Sequence, residues 1–401
     1  MSKLDDLINK FCPDGVEFKR LGECIYSLNT GLNPRQFFQL NTDDAKNYYV
    51  TIREIINGKI VFSKSTDRIN DEAMLLCNNR SNLEKGDVLF SGTGTIGRTC
   101  VLKETPKNWN IKEGVYTIKP NQNVILSKYL SYCLQSTEVR IAYMSKSAGG
   151  TVQSVPMKEM KNLEIPVPPL EIQNEIVRIL DNFTELEEEL EEELEARRKQ
   201  YEYYRDSLLT FDDNVEWKKL GDIATRIKGT PITATQMKLI AADNGEIKIF
   251  AGGKTVVNAH ESDIPNANIT KVPAVLVQSR GTIDFVYYDK PFTFKNEMWA
   301  YTFENQITVK YIYYVLKNNV EHFRKITESM GAFPQIALPD TEKYKVPLPD
   351  IKAQEKIVNI LDRFEALCND ITSGLPAEIE ARHKQYEYYR DKLLTFKRKL
   401  A

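Results

Sequence analysis

One glycine-rich run in this sequence has the residue types of a phosphate-binding loop. Gly92, Gly94 and Gly97 are spaced as G-x-G-x-x-G and follow residues 88–90, Val-Leu-Phe, which resemble a strand. A dinucleotide site of this type also needs a helix directly after the glycines and an acidic residue about twenty positions further on. Residues 98–102, Arg-Thr-Cys-Val-Leu, instead predict another strand. We therefore interpret the run as a turn between two strands.

The other motifs that could support catalysis are incomplete. Residues 253–255, Gly-Lys-Thr, resemble the end of an ATP-binding loop, but position 248 is lysine where that motif requires glycine. The tetrapeptide Asp/Asn-Pro-Pro-Tyr/Phe of adenine methyltransferases does not occur in the sequence. His260, His322 and His383 are far apart in sequence, which gives a hydrolytic triad little support. We therefore expect no catalytic residue in this chain.

Cysteine usage argues against a metal or disulfide site. The six cysteines are scattered without a C-x-x-C pair, and there are three histidines. This pattern favours a reducing compartment and offers no zinc-binding spacing. Residues 1–11 lack the apolar core of a signal peptide, and no apolar run reaches the roughly eighteen residues of a membrane helix. The expectation is a cytoplasmic protein with no metal and no cofactor of its own.

Charge is divided unevenly along the chain. The 401 residues include 54 basic and 56 acidic side chains, for a net charge of −2. Residues 171–211 hold thirteen acidic and five basic side chains, a net of −8, and residues 350–396 hold nine and seven, a net of −2. The rest of the chain therefore carries +8. An anionic partner is compatible with this distribution, because the acidic residues are concentrated in two segments.

The segments that would position any binding residue occur twice. Residues 196–211, ARRKQYEYYRDSLLTF, return as residues 381–396, ARHKQYEYYRDKLLTF, with fourteen of sixteen positions identical. Residues 16–23, VEFKRLGE, likewise return as residues 215–222, VEWKKLGD. Internal repetition of this kind predicts two copies of one structural unit.

Each copy is predicted to be an α+β domain. Short β-branched and aromatic runs between turn residues predict strands, and apolar residues three and four apart predict helices. The predicted strands of the first copy are 47–52, 59–62, 87–90, 99–102 and 115–118, and its predicted helices are 4–11 and 126–143. The predicted strands of the second copy are 247–250, 274–278, 283–288 and 298–303, followed by helix 309–323.

A proline-rich segment leads into a long amphipathic helix at the end of each copy. Residues 166–173, PVPPLEIQ, and 347–354, PLPDIKAQ, precede apolar residues at steps of four and three, the pattern of a coiled-coil seam. Two such stripes in one chain favour an antiparallel pair. The predicted seam residues are Ile172, Ile176, Ile179, Phe183, Leu186, Leu190 and Leu194 in the first helix, and Ile357, Ile360, Phe364, Leu367 and Ile371 in the second.

The two long helices differ in length by four residues. Leu180 matches Leu361 at a separation of 181, whereas Tyr201 matches Tyr386 at a separation of 185. The additional residues lie around 373–376, Ser-Gly-Leu-Pro, and predict an interruption of the second helix. Pro376 suits the first turn of a restarted helix. The first helix, rich in glutamate and leucine, is predicted to be continuous.

This layout closely resembles the specificity subunit of type I restriction–modification systems. The resemblance rests on two dissimilar α+β units, each followed by a PxPPLxxQ-like or PLPxxxxQ-like lead-in and the repeated ARxKQYEYYRDxLLTF. It implies an N-terminal helix and target-recognition domain at 1–165 and a second target-recognition domain at 213–346. Helical regions at 166–212 and 347–401 would form an antiparallel coiled coil with a pseudo-twofold repeat.

The resemblance also implies a function. Each target-recognition domain would bind one half of a bipartite, asymmetric site in double-stranded DNA, and the coiled coil would set the spacing and bind two methyltransferase subunits. Catalysis, with S-adenosylmethionine, ATP and magnesium, would belong to those and to restriction subunits. A protein-binding scaffold remains an alternative, and so does an enzyme that fuses recognition with methyl transfer, although the methyltransferase motif is missing.

Candidate DNA-contacting residues follow from side-chain chemistry and turn location. Arginine and lysine suit phosphate and guanine, asparagine and glutamine suit adenine, and serine and threonine suit phosphate or either base. In the first unit the candidates are Arg35, Lys64, Arg68, Arg80, Ser91, Thr93, Thr95, Arg98, Lys146 and Ser147. In the second unit the candidates are Lys228, Thr230, Lys254, Gln278, Arg280, Thr282, Asn296 and Gln335. The turns around Gly94 and Gly281 are favoured, because they occupy corresponding places in the two copies.

The repeated helical sequence supplies a candidate partner-binding face. Tyrosine and arginine are favoured at protein interfaces, but packing against the globular unit is an equally open interpretation. The residues that share this face are Tyr201, Tyr204 and Arg205 in the first copy, and Tyr386, Tyr389 and Arg390 in the second.

Overall fold

The chain divides into two compact units. The computed structural model describes residues 3–34, 37–212, 214–253, 255–327, 334–370 and 372–399. The first unit comprises Met1–Leu190 and Ile379–Ala401, and the second comprises Glu191–Glu378. Each unit therefore combines one globular region with a part of each long helical region.

The first unit is built from the N-terminal globular region and the far C-terminus. Its helices are α1 (Lys3–Phe11), α2 (Asp71–Ser81), α3 (Ser127–Gln135), α4 (Thr137–Met144) and α5 (Met157–Lys161), with the first part of α6 (Leu170–Leu208) and most of α13 (Leu375–Leu394). Its strands are β1 (Phe18–Arg20), β2 (Ile25–Thr30), β3 (Asn47–Val50), β4 (Ile55–Ile56), β5 (Lys59–Ile60), β6 (Arg68–Ile69), β7 (Val88–Ser91), β8 (Thr99–Val101), β9 (Trp109–Ile111), β10 (Val115–Pro120) and β11 (Glu164–Pro166).

The second unit begins within α6 and ends within α13. Its other helices are α7 (Leu220–Ile223), α8 (Ala234–Leu239), α9 (Gln306–Asn318), α10 (Val320–Ile326), α11 (Leu338–Glu342) and α12 (Ile351–Asn369). Its strands are β12 (Trp217–Lys219), β13 (Thr225–Lys228), β14 (Ile247–Phe250), β15 (Val256–Ala259), β16 (Ala274–Gln278), β17 (Asp284–Tyr288), β18 (Phe292–Phe294), β19 (Trp299–Thr302) and β20 (Lys345–Pro347).

Both units share the topology of three sheets despite their different sequences, and the β4–β5 ladder occurs in the described residues of the first unit only. The main antiparallel sheet has the order β2–β10–β7–β8 in the first unit and β13–β19–β16–β17 in the second. A smaller sheet has the order β6–β3–β9 and β15–β14–β18, with its second pair of strands parallel in both units. A short two-stranded ladder pairs the first and last strands of each globular region, β1 with β11 and β12 with β20. The predicted α+β fold and internal repeat are therefore confirmed.

A glycine lets the two sheets of each unit approach each other closely. Gly31 follows β2, and a Cβ atom there would lie 2.1 Å from the carbonyl oxygen of Ile111. Gly229 follows β13, and a Cβ atom there would lie 2.2 Å from the carbonyl oxygen of Phe294. Because no side chain can approach a backbone atom that closely, both positions require glycine.

The long helix predicted in each globular region is divided in the structure. Residues 126–143 form α3 and α4, because Ser136 takes an extended conformation and its hydroxyl donates to the Cys133 carbonyl at 2.8 Å. Residues 309–323 likewise fall in α9 and α10, which meet at Asn319. Both predictions of a single helix were wrong. Apolar periodicity continues through each break, so the sequence pattern does not reveal it.

A glutamine fixes the proline-rich lead-in to each long helix. The Gln173 side-chain amide donates to the Pro168 carbonyl at 2.8 Å, and the Gln354 amide donates to the Pro349 carbonyl at 2.8 Å. Both glutamines are buried. The repeated glutamine of the lead-in motif therefore supplies a hydrogen bond to a proline carbonyl just before the helix.

A tyrosine from each globular region binds the same lead-in. The Tyr129 hydroxyl donates to the Pro166 carbonyl at 3.1 Å, and the Tyr311 hydroxyl donates to the Pro347 carbonyl at 3.0 Å. Both tyrosines are fully buried. Each globular region is thus attached to its helical region by the same buried bonds.

Helix α6 runs antiparallel to α13 in the first unit. The Phe183 ring stacks on Tyr389 with centroids 5.3 Å apart, and His383 Nδ1 lies 3.4 Å from Glu187 Oε1. Later residues of α6 thus meet earlier residues of α13. Leu186 does not belong to this seam, because its side chain is 47 % exposed. The predicted seam was wrong at that position, and Glu187 faces α13 instead.

Helix α6 also runs antiparallel to α12 in the second unit. The rings of Tyr201 and Tyr204 lie 6.2 and 5.5 Å from the Phe364 ring. Burial raises the pKa of the Cys368 thiol, and the nearby Arg198 partly offsets that effect. Leu367 is 36 % exposed, so the predicted seam was wrong at that position as well. Ile371, the last predicted seam residue, lies outside the described residues.

The predicted interruption of the second long helix is confirmed. Helix α12 ends at Asn369 and α13 begins at Leu375, with Pro376 in its first turn. A Cβ atom on Gly374 would lie 2.5 Å from the Ala366 carbonyl oxygen, so this turn requires glycine. Helix α6 is continuous over 39 residues, as predicted.

Candidate nucleic-acid interface

A glycine turn in the first unit pairs with a segment that follows α4. We call residues 92–94 and 153–155 turn A. The Gly94 amide donates to the Gln153 carbonyl and the Val155 amide to the Gly92 carbonyl, both at 2.9 Å. Thr93 and Ser154 face each other across this bridge, with their hydroxyl oxygens 3.1 Å apart.

The second unit has the same construction. We call residues 279–281 and 334–336 turn B. The Gly281 amide donates to the Pro334 carbonyl at 2.9 Å, and the Ile336 amide donates to the Ser279 carbonyl at 3.0 Å. Arg280 and Gln335 occupy the facing positions.

Glycine conformation supports the equivalence of the two turns. Gly94 has φ +77° and Gly281 has φ +79°, both in the left-handed region that favours glycine. The correspondence of the two turns, which the sequence predicted, therefore extends to backbone geometry. The facing side chains differ: two hydroxyls in turn A, and a guanidinium with an amide in turn B.

The ends of both sheets meet at these turns. Arg98, whose amide donates to the Ser91 hydroxyl directly before turn A, donates through Nη1 to the Ile52 and Ile55 carbonyls after β3 at 2.8 and 3.1 Å. In the second unit the Gly253 amide, after β14, donates to the Arg280 carbonyl at 3.0 Å. Each unit therefore presents one edge at which segments from two sheets converge.

Several predicted residues of the first unit lie at or beside turn A. Thr95 and Arg98 are exposed, whereas Ser91 is fully buried. The Ser91 hydroxyl donates to the Thr95 carbonyl at 2.7 Å and accepts from the Arg98 amide at 2.8 Å, so it supports the turn from inside. Lys146 and Ser147 precede Ala148, which is bridged to Ser154.

Other predicted residues of the first unit lie elsewhere. Arg68 lies over the Tyr48 ring at 4.7 Å, and Tyr48 stacks on Phe62 with centroids 4.2 Å apart. This aromatic stack was not predicted, although its two members stand in predicted strands. Lys64 follows Phe62 closely and is exposed. Arg80 is exposed in the last turn of α2, and Arg35 lies outside the described residues.

The predicted residues of the second unit divide between surface and interior. Lys228, Thr282 and Asn296 are exposed. Asn296 lies in the turn beside turn B, because the neighbouring Glu297 carbonyl accepts from the Ser279 hydroxyl at 2.8 Å.

Two other predicted residues of that unit lie in the interior. Thr230 is fully buried, with its hydroxyl oxygen 2.7 Å from that of Thr293, and Gln278 is also buried. Lys254 lies outside the described residues.

The predicted partner-binding face is partly buried in the first unit. Tyr386 and Arg390 are 5 % and 7 % exposed, and Tyr386 packs edge-on against Tyr132 with centroids 6.4 Å apart. Burial raises the pKa of the Tyr386 hydroxyl to about 12. For these two residues the structure favours packing over docking. Tyr389 stacks on Phe183, as described above.

The same sequence in the second unit is more open. Tyr204 is 40 % exposed, and Arg205 lies over the half-buried Tyr201 ring at 5.7 Å. Tyr203 and Tyr388, which correspond in the repeat, are 70 % and 61 % exposed. The face assignment missed them because they lie one position before the chosen tyrosines.

Among the described residues, no group of three or more histidine, cysteine, aspartate or glutamate side chains is placed to hold a metal ion. Within that same part of the chain, no helix is both long enough and apolar enough to cross a bilayer.

Comparison with known proteins gives consistent matches. The family model described as "Type I restriction modification DNA specificity domain" matches residues 13–196 and 213–381. The specificity subunit of the type I restriction enzyme EcoR124I/EcoR124II from Escherichia coli is 37 % identical over 300 residues, covering 69 % of this chain and 72 % of that protein.

Solved structures share the fold. The S subunit of a type I restriction–modification system from M. genitalium aligns with a TM-score of 0.58 at 19 % identity, covering 95 % of this chain and 96 % of that one. A chain from a structure concerned with complex assembly of the type I R-M system aligns with a TM-score of 0.57 at 17 % identity, covering 96 % and 98 %.

Proposed function

This chain belongs to the type I restriction–modification DNA specificity family, and from that premise we propose that its two globular regions read the two halves of a bipartite, asymmetric DNA site. The chain is the DNA-recognition subunit, and it leaves catalysis to partner subunits. We place its target-recognition domains at 1–165 and 213–346, joined to helical regions at 166–212 and 347–401.

One observation carries the proposal of two different half-sites. Turns A and B share their backbone hydrogen bonds and their left-handed glycine, but they differ in the side chains that this backbone presents. Base edges are distinguished by the donors and acceptors offered to them. Turns A and B have the same backbone framework but present different donors and acceptors. They are therefore suited to reading two different base sequences.

The long helices supply a reason for the bipartite form. Helix α6 has 39 residues and is roughly 60 Å long at about 1.5 Å per residue. Half-sites one DNA turn apart are separated by about 34–36 Å. We infer that the helical regions set the spacing, and that the base pairs between the half-sites are spanned without being read.

The helical regions also suit partner subunits. Tyr203 and Tyr388 are largely exposed at equivalent positions of the repeat, and exposed tyrosine is typical of protein interfaces. A surface that occurs twice fits two copies of one partner. We infer that two modification subunits bind this chain and that restriction subunits complete the complex. These partner subunits would bind S-adenosylmethionine, ATP and magnesium, and the complex would act in the cytoplasm.

Methylation mapping tests this function directly. Adenine methylation is compared genome-wide in cells that carry the modification subunits with and without this chain. We expect one bipartite motif to be methylated only when the chain is present. Methylation that does not depend on this chain contradicts the proposal. A protein-binding scaffold would instead leave the purified complex without sequence preference in a gel-shift assay.

A further inference from the structure

We propose that Arg280 and Gln335 form a single guanine-reading pair in the half-site bound by the second unit, with Gln335 as the positioning residue for Arg280. This inference rests on the proposed function and adds to it which base is read and by which atoms. It also predicts that the two half-sites differ at the base pair that faces turns A and B.

The two side chains are joined in a fixed orientation. Gln335 Oε1 accepts from Arg280 Nε at 3.1 Å and from Arg280 Nη2 at 2.8 Å. Because a guanidinium group only donates, the amide atom that faces it must be the oxygen. Two bonds to one acceptor hold the plane of the guanidinium, so this long side chain loses little further freedom on binding.

These bonds leave the recognition edge of the guanidinium open. The Nε and Nη2 protons that face Gln335 belong to one side of the group, and the protons of Nη1 and the second proton of Nη2 point away from it. Two parallel N–H donors match the O6 and N7 acceptors of guanine in the major groove, the commonest specific arginine contact. Adenine offers an amino donor at the equivalent of O6 and opposes such a contact.

The backbone beneath the pair is buried and hydrogen-bonded, while the two side chains are exposed. Ser279 and Ile336 are 0 % and 1 % exposed, and they bracket the bridge between Arg280 and Gln335. Gly253 adds a third main-chain bond, to the Arg280 carbonyl at 3.0 Å. Recognition groups supported in this way keep their geometry before the ligand arrives.

Turn A provides the internal comparison. Thr93 and Ser154 occupy the same backbone positions, and their hydroxyl oxygens lie 3.1 Å apart. A hydroxyl both donates and accepts, so it suits either base or a phosphate and does not impose guanine. The two turns share one backbone geometry but present different side chains. Of these two turns, we therefore assign the strict guanine preference to turn B.

Selection from a pool of random-sequence DNA duplexes tests the pair. The full chain, in complex with its modification subunits, is used as the wild type and as the variants Arg280→Lys, Gln335→Ala and Gln335→Glu. A bidentate contact discriminates among bases by roughly 5- to 150-fold. We expect Arg280→Lys and Gln335→Ala to lose most of that preference at one guanine in one half-site, with the other half-site unchanged.

The conservative variant separates positioning from general stability. Gln335→Glu keeps an acceptor oxygen opposite the guanidinium, so the guanine preference should persist even if overall affinity falls. Lys290→Gln is the charge control. Lys290 is exposed and lies just after Tyr288, which pairs with Ala274 at the start of β16. Turn B follows Gln278 at the other end of that strand. This control should leave every base preference unchanged.

The outcomes distinguish the two proposals. If the wild-type complex selects a bipartite site and Arg280→Lys selects the same site with the same preferences, the guanine-reading pair is wrong and the proposed function stands. Equal weakening at all positions in Arg280→Lys also rejects the pair, because it indicates a phosphate contact. A wild-type complex that selects no bipartite sequence overturns the proposed function, and this inference with it.

Discussion

Asp391 should stabilise the first unit more than its counterpart Asp206 stabilises the second. Asp391 accepts hydrogen bonds from the Thr137 amide at 3.0 Å and the Thr137 hydroxyl at 2.6 Å, at the N-terminus of α4. Its side chain is 34 % exposed. Asp206 occupies the same place in the repeat, but it is 60 % exposed and pairs with Arg205 at 2.8 Å.

The magnitude follows from the capping geometry. Losing a helix cap costs about 1 kcal/mol, with a range of about 0.5–2, and a carboxylate near a helix N-terminus adds about 0.3–1. Asp391→Ala should therefore lower the free energy of unfolding of the first unit by roughly 1–2 kcal/mol. Asp206→Ala should cost less than about 1 kcal/mol, since exposed ion pairs contribute little.

Hydrogen exchange locates the effect. Amides of α4 should exchange roughly 5- to 30-fold faster in Asp391→Ala, which is the factor that about 1–2 kcal/mol represents. Amides of α10 should be unchanged in Asp206→Ala, which is the matched control from the same repeated sequence. Equal protection changes in the two variants, or no change in α4, would refute the capping role of Asp391.

The same residue predicts a pH dependence. Burial alone would raise the pKa of the Asp391 carboxyl, but the bonds from Thr137 and Arg390 outweigh it, and the pKa lies below the ordinary 3.8. A lowered folded-state pKa means that the stabilisation is complete above about 3.8 and is lost as the pH falls through the folded value. The difference between wild type and Asp391→Ala should therefore be constant near neutrality and shrink in acid.

Three further variants test the fold and the helical surface. Gly31→Ala should destabilise the first unit by about 2–4 kcal/mol in urea unfolding, because its Cβ would clash with backbone, whereas Gly150→Ala has open space around it and should be near neutral. Leu190 is half-buried in the seam, so Leu190→Asp should abolish methylation of the whole bipartite motif in a methylation assay. Leu186 is exposed, so Leu186→Asp should be tolerated in the same assay. Tyr388→Ala should weaken binding of modification subunits by at least about 1 kcal/mol in titration calorimetry, with an unchanged melting temperature.

The sequence predicted the repeated architecture well, because repeated segments and apolar spacing can be recognised without knowing any tertiary contact. The continuous α6, the restart at Leu375 and the correspondence of the two glycine turns were all recognisable from spacing and from Gly and Pro. Leu186 was assigned to the seam wrongly, because apolar residues spaced three and four apart are compatible with more than one face of the helix. The partner helix decides between them, and Glu187 faces α13.

The candidate site could be predicted only in part. Arg280 and Gln335 were each nominated from their chemistry, but their pairing depends on a bridge between segments 55 residues apart. Nothing in the local sequence of either segment specifies that bridge. Burial was equally hidden: Thr230 and Ser91 are polar residues beside glycines, a pattern that also occurs at exposed turns, and the structure places both in the interior.

The repeated and the divergent residues have different physical tasks. The bonds from Tyr129 and Tyr311, and from Gln173 and Gln354, recur with almost the same lengths, because they attach each globular region to its helical region. A buried polar group that loses its partner costs about 1–3 kcal/mol, so such positions tolerate little change. The facing side chains of turns A and B are held by backbone bonds that any residue can make. Their chemistry can therefore differ between the units, and with it the base that we propose each turn reads, at almost no cost to folding.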